Sequence, residues 1–104
     1  MTAGRGGAEL SSRQRARLRA LAHRLDPIVQ VGKQGVTEAV AAEVERALLA
    51  HELIKVRLAG ERDEREEAAR ELASSTGSAL AGTIGRVAIL YRPHPEPDKR
   101  RIEL

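Results

Sequence analysis

The sequence predicts an α/β protein, a two-layer sandwich with helices packed on a four-stranded sheet. Three observations carry that prediction. Segments with apolar residues at helical spacing alternate with short runs of Val, Ile and Leu, in the order α-β-α-β-α-β-β. A length of 104 residues leaves room for one hydrophobic core and no more. That core must be aliphatic, because Tyr91 is the only aromatic residue and Leu, Val, Ile and Ala supply most of the 41% hydrophobic content.

Residues 1–9 are Gly-rich and without periodicity, and read as a disordered tail ahead of one domain over residues 10–104. Ser11 followed three residues later by Gln14 is a capping-box pattern that opens a helix from about Ser12 to His23. Leu18, Leu21, Ala22 and Leu25 share one face of it. Arg13, Arg17 and Arg24 lie along one flank, and Arg15 and Arg19 form a pair one turn apart. Asp26-Pro27 ends the helix, since the residue before proline avoids helical geometry.

Ile28–Val31 is a short strand closed by Gly32-Lys33-Gln34-Gly35. A second helix starts at Val36-Thr37-Glu38, with Thr37 as its N-cap or first-turn residue, and runs to about His51. Val40, Val44, Ala47 and Leu48 are its buried stripe. Leu53–Leu58 then alternates Ile54, Val56 and Leu58 with Lys55 and Arg57, the pattern of a half-buried strand. The third helix, Glu61–Ser75, packs through Ala68, Leu72 and Ala73 and stops at Gly77. Ser78–Ile84 and Val87–Tyr91 are two strands joined by a tight turn at Gly85-Arg86. Pro93, Pro95 and Pro97 break regular structure before the basic run Lys99-Arg100-Arg101.

Composition excludes several classes of function. Without cysteine there is no disulfide, thiolate metal site or cysteine nucleophile. Apolar runs are too short to span a membrane, and no secretory leader opens the chain, so the expected location is cytoplasmic. His23, His51 and His94 have no metal-ligand spacing, and no serine sits in a nucleophile-elbow setting. The chain is therefore expected to be neither an enzyme nor a cofactor or metal carrier, and to act on no small-molecule substrate. A lone tyrosine also cannot build the two- or three-ring platform on which unpaired bases usually stack.

Charge is distributed unevenly behind a formal net of +3. From Met1 to Lys33 seven basic residues stand against Glu9 and Asp26, a net of +5. From Glu61 to Glu71 six acids stand against three arginines, a net of −3. If the two segments lie apart, their field orients a polyanion toward the first and away from the second. The acidic run reads equally as a solvated helix face.

Gly32-Lys33-Gln34-Gly35 falls between a strand and a helix. Its amides and the following first turn can there face one anion, with Lys33 at the tip. A structural turn has the same spelling, as Gly82-Thr83-Ile84-Gly85 shows by running from a strand into a hairpin. The arginines of the first helix, the Lys33 loop and the Lys55/Arg57 strand face share the chemistry of phosphate contact. With no aromatic platform to stack bases, they point to recognition of backbone and shape, and so to structured RNA.

Four ordered blocks extend that reading: Leu21-Ala22-His23, Pro27–Thr37, His51–Val56 and Ile84–Pro93. Together they resemble the CRM domain, the chloroplast RNA splicing and ribosome maturation module, in its small free-standing bacterial, YhbY-like form. The resemblance covers about Leu10–Leu104 and is loose around Arg70–Ala81. It implies a mixed four-stranded sheet like that of the C-terminal domain of translation initiation factor three. It also implies that Gly32, Lys33, Gln34 and Gly35 form a KH-like GxxG loop.

Through the resemblance, the expected function is docking on ribosomal RNA in precursors of the large ribosomal subunit, in aid of ribosome assembly. Ribosomal proteins are further expected partners, and plant relatives act in group II intron splicing. Residues expected to meet RNA are Gly32, Lys33, Gln34, Gly35, Arg13, Arg17, Arg24, Lys55 and Arg57. Tyr91 and Arg92 fit either packing or RNA contact. The alternative function is an adaptor that binds ribosomal proteins or assembly factors through the acidic third helix.

Overall fold

The computed structural model describes residues 10–104; the tail expected over residues 1–9 lies outside them. The elements are α1 (Ser12–Ala22), β1 (Pro27–Val31), α2 (Glu38–His51), β2 (Leu53–Leu58), α3 (Arg62–Thr76), β3 (Ala79–Ile84) and β4 (Val87–Tyr91), followed by a 3-10 turn at Pro97–Lys99. Local chemistry sets their starts. Ser11 Oγ accepts from Gln14 N while Gln14 Oε1 accepts from Ser11 N, both at 3.0 Å, so the capping box forms as the spacing predicts. Thr37 Oγ1 accepts from Val40 N at 3.2 Å and caps α2.

The four strands form one mixed sheet in the order β1-β2-β4-β3. β1 runs parallel to β2, as a connection through α2 requires, and the other two pairings are antiparallel. Class, element order and sheet are those predicted.

The layering is richer than a two-layer sandwich. Ile54, Val56 and Leu58 of β2 and Ala88 and Leu90 of β4 face α2 and α3, where they pack with Val44, Leu48, Ala69 and Leu72. The alternate residues Leu53, Ile89 and Tyr91 face the other way, onto Leu18 and Ala22 of α1. A strand sends successive side chains to opposite faces, so these two clusters place α1 across the sheet from α2 and α3. Leu18, Leu48, Ile54 and Leu72 are all fully buried. Each contributes about 1.5–3 kcal/mol relative to an exposed position.

The third layer is partial. α1 packs mainly over β3, with smaller contacts to β2 and β4. Arg19 lays its aliphatic stem on Gly82, where a Cβ would meet its Cδ at 3.0 Å, and donates from a guanidinium nitrogen to the Ala81 carbonyl at 3.1 Å. Of the stripe predicted on the first helix, Leu18 and Ala22 are buried, while Leu21 and Leu25 stay exposed. The outer faces of β1 and of the far half of β2 are left open. On α3 the packing face centres on Ala69 and Leu72, with Ala68 and Ala73 at its margins.

Candidate nucleic-acid interface

The Gly32–Gly35 loop leaves the sheet where β1 and β2 end together. Val31 pairs with Leu58, and the Ala59 amide donates to the Val31 carbonyl at 3.0 Å. The chain then reverses through a turn closed by Gly35 N donating to the Gly32 carbonyl at 3.0 Å. Gly35 takes a φ of +80°, a left-handed conformation that a side chain would strain. Lys33 and Gln34 are exposed at the tip, and their amides make no hydrogen bond among the described residues. The amide of Val40, in the first turn of α2, is already taken by Thr37, and Glu38 occupies that turn. An anion at the loop therefore meets the tip amides and Lys33 more than the helix end.

One flank of the loop is acidic. A cleft of about 510 Å³ separates Gly32, Lys33 and Gly35 from Glu61, Glu64, Glu67 and Glu71 on and beside α3. The basic helix α1 and the acidic helix α3 do lie on opposite faces of the sheet, but Lys33 belongs to the basic segment and sits against the acids. Repulsion by that wall leaves the α1 side of the loop as the approach for a polyanion.

That side carries the other cations. Lys55 and Arg57 alternate with the buried residues of β2 and so project onto the outer face, where Arg57 pairs in register with Gln30. Lys55 is half-buried and Arg57 exposed. Arg13 and Arg17 on α1, and Arg24 in the turn that follows it, are exposed. Arg17 is partly committed, its Nε donating to the Glu103 carbonyl at 3.0 Å. Among the described residues Arg13, Arg24, Lys33, Lys55 and Arg57 form no ion pair, so their charge is not neutralised within the fold. The structure thus puts Lys55 and Arg57 on the open outer face, with Arg13 and Arg17 of α1 on the same side of the sheet; the loop sits at the end of β1, with Lys33 against the α3 acids.

The family model for the CRS1/YhbY (CRM) domain matches residues 10–92. The chain belongs to the CRM domain family. Among CRM-like proteins, "Probable RNA-binding protein PA4753" of Pseudomonas aeruginosa is 44% identical over 91 residues, spanning 86% of this chain and 88% of its own length. "Probable RNA-binding protein YqeI" of Bacillus subtilis is 38% identical over 96 residues, spanning 91% and 98%. The solution structure of SAV1595 from Staphylococcus aureus, described as a candidate RNA-binding protein, superposes with a TM-score of 0.79 at 34% identity. It covers 91% of this chain and all of its own.

In this CRM domain two conspicuous polar residues are structural. Glu52, the single residue between α2 and β2, is 2% exposed and adopts a φ of +65°. Its Oε1 accepts from the amides of Arg101 (2.8 Å) and Ile102 (3.2 Å), and its Oε2 from that of His94 (2.8 Å). It thereby ties the C-terminal tail to the sheet. One guanidinium nitrogen of Arg92 donates to Glu45 and to the Thr76 carbonyl, both at 2.7 Å, joining α2 to the end of α3. Tyr91 is 5% exposed in the α1-side core. Burial pushes its phenol above the ordinary value of 10.0, the Glu52 carboxylate adds to the shift, and Arg100 offsets part of it.

The role of Glu52 is absent from the sequence reading. Its signal was a helix passing into a strand through one residue, a junction that demands an unusual backbone and offers no glycine to supply it.

Proposed function

We propose that this CRM domain is a non-catalytic RNA-binding protein that docks on structured ribosomal RNA in precursors of the large ribosomal subunit. Lys33 and the tip amides of the GxxG loop grip a phosphate. Arg13, Arg17, Arg24, Lys55 and Arg57 supply the wider electrostatic contact. The observation that carries the reading is the set of cations without ion pairs on the α1 side of the sheet, with the glycine loop at its edge. The names of relatives such as PA4753 and YqeI support the RNA class of partner. Ribosomal RNA is the finer step, taken from the family resemblance.

Two measurements test it. Lys33→Ala lowers affinity alike across RNA sequences and reduces the salt slope by about one. Crosslinking in cells, followed by sequencing of the attached RNA, enriches large-subunit precursor RNA. A signal spread over messenger RNAs without that enrichment overturns the ribosomal assignment. The adaptor alternative draws on the exposed carboxylates of α3, among them Asp63, Glu67 and Glu71. Partner capture that survives ribonuclease treatment favours it; loss of partners favours RNA.

A further inference from the structure

The outer face holds an apolar groove that the phosphate contacts do not use. It lies where α1 ends, β1 begins and the C-terminal tail folds back. Its volume is about 480 Å³, and Leu21, Leu25, Ile28, Leu53, Ile54 and Ile102 supply its apolar lining. Leu21, Leu25 and Ile28 are 39%, 38% and 49% exposed, so three of the exposed large aliphatic side chains gather at one place, while others such as Leu49 and Ile84 do not line the groove. The groove is also held in shape. Leu25 N donates to the Ala22 carbonyl at 2.9 Å, fixing the turn after α1. Glu52 holds the Arg101 and Ile102 amides, fixing the tail wall.

Charge around the groove indicates its occupant. Arg101 lines it, Arg24 adjoins Leu25, and Lys55 pairs in register with Pro27 beside Ile28. None of these three cations forms an ion pair among the described residues. From Ile28, β1 runs past Gln30 and Arg57 to Gly32, about 13 Å at the rise of an extended strand. A Gly-x-x-Gly clamp of the KH kind handles about four nucleotides, a matching scale. An apolar slot rimmed by cations without ion pairs, and joined along the outer face of β1 and β2 to the loop proposed to hold phosphate, is complementary to one class of ligand, an unpaired nucleotide with an apolar base and an anionic backbone.

We propose that this groove receives an unpaired nucleobase of the bound RNA, whose backbone crosses Lys55 and Arg57 toward the Gly32–Gly35 loop. The proposal rests on the RNA-binding reading and deepens it: the RNA is a duplex with a single-stranded extension or loop. Leu21, Leu25 and Ile28 grip the faces of the base, as apolar side chains do in nucleotide pockets, and do so without an aromatic ring. Asp26, the carboxylate on the rim, presents an acceptor to an exocyclic amine.

The test compares three RNA probes by equilibrium binding to the full chain. They are a blunt duplex, the same duplex with a four-nucleotide unpaired extension, and that extension built from abasic nucleotides. The extension with bases raises affinity about fivefold over its abasic counterpart, the low end of what stacking of one base on an aromatic side chain supplies. Ile28→Ser and Leu25→Ser remove that increment and leave duplex affinity unchanged; both positions are surface-exposed, and circular dichroism checks their folding.

Equal affinity for the base-bearing and abasic extensions on the unaltered protein overturns the proposal without touching duplex binding. Failure to bind any probe overturns the RNA reading itself. If Ile28→Ser instead abolishes self-association in sedimentation and leaves the increment intact, the groove is a contact between copies, and the proposal falls.

Discussion

The two ends of α2 perform the same task, turning the chain between a strand and a helix, and treat their polar groups in opposite ways. At the C-terminal end Glu52 turns the chain in one residue. Its amide donates to Leu48, its carbonyl accepts from Arg92, and its carboxylate accepts three tail amides. At the N-terminal end the connection takes six residues, Gly32–Thr37, and leaves the tip amides and Lys33 without partners in the described chain. Corners that exist for stability consume their hydrogen-bonding capacity internally, and a buried group pays heavily if one partner is lost. A corner that retains unspent donors is where an external ligand gains most. One end of α2 thus serves folding and the other, in the function proposed above, serves binding, and each assignment can be broken.

The largest effect is expected at the stability corner. Glu52→Ala leaves three tail amides without their acceptor and keeps the positive φ, and should destabilise the fold by about 2–4 kcal/mol in denaturant unfolding. Glu52→Gln retains an acceptor oxygen and should lose about half as much. Equal losses for the two variants would mean that the negative charge, more than the acceptor geometry, holds the tail.

The binding corner should show the reverse signature. Gly35→Asp places a strained residue and a negative charge at the loop, and should reduce affinity for structured RNA by about tenfold or more. Its cost in stability should be about 1 kcal/mol, the penalty of a left-handed backbone for a residue with a Cβ. An unchanged affinity would remove the loop from the interface and collapse the contrast between the two ends.

How much of this contrast is legible in the sequence follows from the range of the signals. Capping at Ser11/Gln14 and Thr37 is local, so spacing alone reveals it. The alternation of Ile54, Val56 and Leu58 correctly marks one buried face. It hides the second, because Leu53 shares its phase with Lys55 and Arg57, and only the α1-covered end of that face is dry. An amphipathic stripe shows that α1 buries Leu18 and Ala22; it does not carry the side of the sheet on which it does so. Leu21 and Leu25 belong to the same stripe by spacing, yet border an open groove because β1 reaches past the end of α1 coverage. The Glu52 contacts join residues separated by more than forty positions, beyond any periodicity. For the interface, residue types and the glycine spacing identify candidates, and only the sheet register puts Lys55 and Arg57 on the open side.

A smaller effect tests whether Arg92 belongs to the folding end. Its side chain is 15% exposed and bridges α2 to α3. Arg92→Ala should lower stability by about 1 kcal/mol, because its partner Glu45 is half exposed and the Thr76 carbonyl is left without this donor. RNA affinity should stay unchanged at concentrations where the variant is folded. A drop in affinity with an altered salt slope would move Arg92 into the interface.

The smallest effect concerns pH at the folding corner. Tyr91 has a raised pKa in the folded protein, first because burial disfavours the phenolate and second because Glu52 lies near. As pH rises through about 10, the unfolded chain releases the Tyr91 proton while the folded chain still holds it, so ionisation favours unfolding. The stabilising preference is complete below the unfolded value and is lost as pH climbs toward the folded one. Tyr91→Phe removes this contribution and keeps the ring that packs on α1. Its urea midpoint should therefore fall less steeply with pH above 10 than that of the unaltered protein, with the two curves parallel near pH 7. Parallel curves throughout would show that the phenol is ionisable without cost, and that Glu52 does not present its charge to the ring.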